Sequence, residues 1–538
     1  MTEKSSRARL AGFYQEQGRY KGILGWLMST DHKRIGIMYG LALFSFFGLA
    51  VCGGLLMRLS LLAPGKILNA QTYNEVFTVH GIIMIFLFVI PGVPVVLGNL
   101  LLPLLIGARD VAFPRINRLS LWLYLSGAII IVIALALHGR PPDTGWTFYA
   151  PLSEQVMSNI SVAVFGVFIL GFSSILTGLN FVTTIHRLRA PGMGWFRVPL
   201  FAWTLYATGW VQMLATPVLA ITLVFIILSR FMGVGFFDPT RGGDPILYEH
   251  LFWIYSHPAV YIMVLPAMGI ISEIVPVFSK EKIFGYSAIV VSALGIASIG
   301  SLVWGHHMFT SGMSDSARVL FSLITFIVAV PSGVKVFNWV ATLYKGSIVV
   351  AAPLLYALSF IFLFSIGGLT GLMIGALALN LNLHGTYFIV AHFHYVMFGG
   401  AGFAFIGGLH YWFPKFSGRM YDERRAKIAW LVLFVGFNVL YFIMFIMGYE
   451  GMPRRYFDYP SRYFTGHLIS TIGALITVGG LILVFANLIR SFFKGPIAPA
   501  NPWNGKTLEW QVPSPPPAEN FEKLPVIKDD MYRFERED

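Results

Sequence analysis

Cysteine is almost missing from this chain of 538 residues: the one present, Cys52, lies inside an apolar run. That excludes an internal disulfide and any metal site built on paired thiolates, and Cys52 itself reads as an inert core residue. Charge is scarce too. Asp, Glu, Lys and Arg make up 12% of the residues against 56% hydrophobic ones, too few to clothe a water-soluble protein of this length. Acidic residues are the scarcer sign, 25 against 38 Lys and Arg, which leaves a net charge of +13. Most of the basic residues flank apolar runs, where anionic lipid is the simpler partner, and nucleic acid is excluded as the meaning of that charge. The N-terminus, MTEKSSRARLAGFYQEQGRY, lacks the apolar stretch and cleavage site of a signal peptide. No repeat of fixed period is visible.

What the chain has in quantity is apolar length. Runs of about 20 residues, enough to cross roughly 30 Å of hydrocarbon, recur at 36–57, 76–105, 118–138, 160–182, 200–229, 248–278, 285–308, 317–343, 350–374, 385–412, 427–448 and 463–490. The expectation is an all-α integral membrane protein of about twelve transmembrane helices. It divides into an N-terminal segment 1–35, a helical domain 36–490 and a Pro-rich tail 491–538 that reads as an extended strap. The excess of Lys and Arg on the side of the first 35 residues makes both termini cytoplasmic.

Of the 13 histidines, His80, His257, His306, His307, His392 and His394 fall inside or at the ends of apolar runs. An ionisable side chain at membrane depth costs several kcal/mol unless paired, hydrated or metal-bound. One such histidine can be an interhelical hydrogen bond; a group of them points to iron or copper, for which imidazole is a preferred ligand. His392 and His394 in AHFHYVM are two positions apart, about 200° around a helix, so one helix can serve two separate metals. His306 and His307 in VWGHHMFT can approach one ion if a third ligand comes from elsewhere, and His257 in YSHPAVYI is the natural third. Tyr261 lies four residues after His257, on the same helix face.

The ordered set STDHKRIG, FTVHG, LPLLIGARDVAFPRINRLS, GWTFYAPLS, RAPGM, FFDPTRGGDPILYEHLFW, WGHHMFTSGM, AVPSGVKVFNW, AHFHYVMFGG, GMPRRYFDYP and SPPP resembles subunit I of the haem-copper oxidases through nearly the whole chain. The resemblance implies a helical domain enclosing two haems and one copper, which reduces O2 to water and pumps protons. His80 and His394 match the axial ligands of the low-spin haem, His392 the ligand of the high-spin haem, and His257, His306 and His307 the copper ligands. Tyr261 matches the tyrosine that the family joins covalently to the histidine at His257 and uses as a source of an electron and a proton. Arg454, Arg455 and Trp146 match residues around the haem propionates, and Arg58 an arginine near the low-spin haem. Haem A is the expected type by resemblance alone, because axial ligation does not distinguish it from haem B or O.

Two proton routes are implied. Lys335 with Ser332 and Thr325 resembles the lysine path toward Tyr261, and Asp110 with Asn99 and Asn117 the mouth of the second path. At the position of Ala259 most relatives carry a glutamate; here Tyr255 and Ser256 offer hydroxyls instead, as in the Tyr-Ser subgroup of the family. Gly385, after His384, replaces an aspartate of the family's magnesium site, which argues against magnesium, and Ser60 stands where some relatives have an acidic calcium or sodium ligand. With one cysteine, the dinuclear copper centre that accepts electrons from cytochrome c must sit in a partner, subunit II; subunit III and a fused or docked cytochrome c are the other partners implied. A bacterial cytoplasmic membrane is the expected location. A quinol-fed oxidase is the alternative. The tyrosine at Tyr261 argues against a nitric oxide reductase, and ligand-spaced histidines argue against a twelve-helix transporter.

Overall fold

In hydrocarbon a backbone must satisfy its own N–H and C=O groups, and a lone segment can do so only as a helix. In the computed structural model, which describes residues 20–137, 139–528 and 531–532, every apolar run does so, and only isolated β-bridges occur among the described residues. Eleven helices there are long and apolar enough to cross a membrane: α1 His32–Ser60, α2 Ala70–Ile106, α3 Pro114–Ala136, α4 Ile160–Arg187, α5 Leu200–Met232, α6 Pro245–Ser279, then, after a shorter helix α7 Tyr286–Gly300, α8 Asp315–Leu343, α9 Ala352–Gly375, α10 Tyr387–Ser417, α11 Glu423–Tyr449 and α12 Ser461–Lys494. The chain is a multi-pass membrane protein. Side chains from the turns cap the helices: Asp31 accepts from Lys33 N at 2.8 Å to open α1, and Asn69 accepts from Thr72 N at 2.8 Å to open α2.

The seventh run departs from expectation. It reads as a span over 285–308, but α7 ends at Gly300 after 15 residues, about 22 Å, short of a bilayer core. The chain then turns through a 3₁₀ segment, Trp304–Met308, which carries His306 and His307. Apolar composition does not encode that break; at the break the Tyr261 ring fills the space a side chain at Gly300 would need.

Small residues set the helix spacing. A Cβ on Gly127 of α3 would meet Gly166 O of α4 at 2.8 Å, and one on Gly436 of α11 would meet Thr477 N of α12 at 2.6 Å. The central helices α2 and α6 are the most enclosed, and α8 shows most of its surface to the outside. Within α2 and α10 the helix widens to π geometry, over Ile83–Val89, Gly92–Gly98 and Tyr395–Gly402, the first just beyond His80 and the last immediately after His394. Cys52 is not a core residue: it lies on the exposed face of α1, where an apolar run needs no burial by protein because lipid covers it.

The tail from 495 onward crosses one end of the bundle. Lys33 Nζ donates to Ala518 O at 2.7 Å, Asn520 Nδ2 donates to His32 Nε2 at 2.9 Å, and Lys415 Nζ donates to Val512 O at 2.9 Å. Tyr532 OH donates to Glu273 Oε1 at 2.7 Å and accepts from Leu200 N at 2.7 Å. Leu508, Glu509 and Trp510 are buried, so this strap is packed protein and shares a face with the start of α1.

Candidate functional site

Three imidazoles meet where α6 passes the short turn after α7. The ligand nitrogens of His257, His306 and His307 all lie within 4.8 Å of one another. His257 Nδ1 and His307 Nε2 face each other at 3.0 Å, and His257 Nε2 is 2.9 Å from Tyr261 OH. Trp253 stacks on the His307 ring at a centroid distance of 3.6 Å, and Thr325 Oγ1, which donates to Phe321 O, accepts from His306 Nδ1 at 2.9 Å. That bond leaves His306 Nε2 for a ligand. Three neutral nitrogen donors turned toward one point in an apolar setting form a donor set that fits copper.

A second site lies between α2 and α10. His80 Nδ1 donates to Ala50 O at 2.8 Å and His394 Nδ1 to Val390 O at 2.8 Å, so both rings keep Nε2 free. The two histidines line one cavity of about 280 Å3 with Arg58, Trp146, Arg454 and Arg455. Gly54 makes room for the His80 ring: a Cβ there would come 3.0 Å from its Cε1. His392 is turned away from this cavity toward α9, its Nδ1 3.2 Å from Thr370 Oγ1, in keeping with the separation of faces that the two-residue spacing implies. The lining fits a flat apolar macrocycle, whose iron His80 and His394 would hold through Nε2.

The arginines supply the polar end. Arg455 is held in left-handed backbone at φ +71° on the turn between α11 and α12, against Gly145, where a Cβ would meet its Nη1 at 3.1 Å. Burial, then the neighbouring charge of Arg455, pulls Arg454 down to about 10. Two adjacent guanidiniums in this setting with no salt bridge to a carboxylate among the described residues call for an anion, as haem propionates would be. Arg58 Nη2 donates to His467 Nδ1 at 2.6 Å. His384 lies 3.2 Å from Asn380 Oδ1 and is lowered to about 4 by burial and the Arg454 charge. Gly385 beside it has φ +75°, a conformation that glycine adopts at less cost than aspartate.

The residues expected on the two proton routes fall into two groups. Asn117 Nδ2 donates to Asn99 Oδ1 at 2.7 Å. Asp110 is not paired with Arg109, which reaches Glu519 at 3.7 Å; burial raises its carboxyl to about 7. Ser120, Ser173, Thr177 and Tyr39 continue inward as a hydroxyl cluster, with Ser120 Oγ 2.8 Å from Thr177 Oγ1 and 3.0 Å from Tyr39 OH. On the other side, Lys335 is fully buried and its Nζ has no partner, so it does not reach out to the membrane edge. Ser332 turns back on Val328 O at 3.1 Å, and Thr325 is engaged with His306, so these three do not form a direct hydrogen-bonded chain. Ser256 Oγ is buried without a partner.

His467, Thr370, the hydroxyl cluster and Tyr441, which stacks on His394 at 4.2 Å, are functional neighbours that no motif in the sequence marks. His467 alone left a signal, a histidine inside the last apolar run.

The family described as Cytochrome C and Quinol oxidase polypeptide I matches residues 34–482. Cytochrome c oxidase subunit 1 of Bacillus subtilis (strain 168) is 43% identical over 517 residues, 95% of this chain and 83% of that protein. Cytochrome c oxidase subunit 1 of Thermostichus vulcanus is 43% identical over 511 residues, covering 94% and 92% of the two chains, and that of Cereibacter sphaeroides is 40% identical over 541 residues, covering 94% and 95%. A heme-copper terminal oxidase dimer solved by cryo-EM shares the fold at a TM-score of 0.75, with 19% identity over 88% of this chain and 86% of the other. A match over most of the length, joined to the converging histidines, gives the conclusion that this chain belongs to the cytochrome c and quinol oxidase polypeptide I family.

Proposed function

We propose that this chain is the catalytic subunit of a respiratory cytochrome c oxidase that reduces O2 to water and moves protons across a bacterial cytoplasmic membrane. The observation that carries the reading is the convergence of His257, His306 and His307 within 4.8 Å with the Tyr261 hydroxyl 2.9 Å from His257. These histidines would hold copper; His80 and His394 would hold the low-spin haem and His392 the high-spin haem, of which haem A is the type proposed. Bound there, the haems and copper would relay electrons from the donor to O2. Arg454, Arg455 and Trp146 would neutralise and orient the propionates, and Arg58, steadied by His467, would fix the haem edge.

The chain's own contribution is proton supply and order. Tyr261 OH is the proton donor nearest the copper ligands, replenished along the Lys335 side of α8, where gaps between Lys335, Ser332 and Thr325 require bridging water. Asp110 would admit protons to the second route, through Asn99 and Asn117 to the hydroxyl cluster and on to Tyr255 and Ser256. A subunit II carrying dinuclear copper, a subunit III and a docked or fused cytochrome c are the proposed partners, with both termini cytoplasmic. The names of the relatives favour cytochrome c over quinol as donor. Oxygen uptake by the purified complex, given reduced cytochrome c and a quinol in turn, with and without cyanide, tests this. Cyanide-sensitive uptake with cytochrome c is expected; uptake with quinol alone would reassign the donor, and no uptake with either would refute the reading.

A further inference from the structure

One buried amide has no place in the routes above. Gln212 on α5 is 2% exposed and its Oε1 has no hydrogen-bond partner. An unpaired amide oxygen is costly in such surroundings, so its presence needs a reason. With Tyr124, Ser173, Ser174 and Tyr255 it lines a small cavity of about 30 Å3 enclosed by α2, α3, α4, α5 and α6. Ser174 Oγ is also buried without a partner. The cavity has room for at least one water, and the unpaired Gln212 Oε1 and Ser174 Oγ belong to residues of its wall, two of the two to four polar partners that a buried water takes.

The position of this cavity gives it meaning. Ser173 belongs at once to its wall and to the hydroxyl cluster, lying 3.1 Å from Ser120 Oγ, while Tyr255 forms the opposite end of the line that starts at Asp110. The neighbouring helix leaves space for the amide: a Cβ on Gly178 of α4 would come 3.3 Å from Gln212 Oε1, and one on Gly171 would meet Thr216 Cγ2 at 3.3 Å. We propose that Gln212, with Ser174, is a positioning residue of the proton route, holding water in line between Ser173 and Tyr255. The inference rests on the Asp110-to-Tyr255 route proposed above. An amide accepts through Oε1 and donates through Nε2 without titrating, so it orders the water while each proton passes by one O–H bond forming as the next breaks. No net charge stays on Gln212.

The test uses the whole oxidase complex in lipid vesicles, with Gln212→Met, Asp110→Asn and Tyr255→Phe compared. Gln212→Met is expected to keep the haem spectrum and carbon monoxide recombination, to lower oxygen uptake about tenfold, the loss of one hydrogen bond in a relay, and to raise the solvent deuterium isotope effect. If Asp110→Asn and Tyr255→Phe are slow while Gln212→Met is not, the assignment of Gln212 is overturned and the route stands. If none of the three is slow, the route itself falls and the inference with it. Should Gln212→Met fail to retain haem, Gln212→Glu decides: it is expected to sustain turnover with a displaced pH profile, because a titrating group then stands in the line. A parent-like profile would overturn the proposal.

Discussion

At the scale of single residues, the hydroxyl of Tyr261 and the carboxyl of Asp110 carry the clearest expectations. Tyr261→Phe keeps the ring that packs on Gly300 and removes only the oxygen 2.9 Å from His257 Nε2. Oxygen uptake by the purified complex should fall about 100-fold or more while the haem absorbance stays; a variant retaining a tenth of the parent rate would rule out Tyr261 as the proton donor. Asp110 stands at about 7 against an ordinary 3.8, raised first by burial. The folded protein therefore binds this proton more tightly than the unfolded chain, and the carboxyl costs stability increasingly as pH rises from 3.8 to about 7, beyond which the cost is constant. Asp110→Asn removes that cost, so its gain in Tm over the parent should be larger at about pH 8 than at about pH 5, as thermal unfolding in detergent would register. The clustering histidines were legible because an imidazole in an apolar run is chemically expensive. Ser173 and Gln212 were not, since a Ser or Gln in such a run carries no sign of whether it faces lipid, a neighbour or a cavity.

At the scale of elements, eleven of the twelve helices follow from apolar length, and the exceptions lie where packing overrules it. The end of α7 at Gly300 and the π turns of α2 and α10 cannot be read from hydropathy, because a widened or broken turn conserves composition. Both deviations aim side chains: the first frees His306 and His307 to face α6, and the second follows directly on His394. The close pairing of α11 and α12 is also a matter of sterics. A Cβ on Gly480 would lie 2.7 Å from Leu433 Cα, which is backbone and cannot step aside. Gly480→Ala should cost about 1–3 kcal/mol of stability, visible as a lower Tm with the haem spectrum intact below the transition.

At the scale of the molecule, the strap changes how one face of the bundle is built. Lys33, Lys415 and Glu273 lie in three separate helices, and residues between 512 and 532 bind all of them. Composition alone described this tail as polar and proline-rich; its burial comes from partners far away in the chain, which no local pattern reports. Truncation after Gly495 should lower the Tm by about 5 °C or more, because buried Trp510 and Leu508 and the bonds to Lys33 and Lys415 go together. Retention of the parent Tm would make the strap an ornament of the fold.

The strap follows all twelve helices in the chain, so a ribosome finishes the membrane part before the covering of that face exists. Until then the end of α6, with Glu273, and the start of α1, with His32 and Lys33, stay open to whatever escorts the nascent protein. Closing this face is therefore a late event in biogenesis, and an affinity tag inserted within the strap, next to Trp510 for instance, would interfere with maturation.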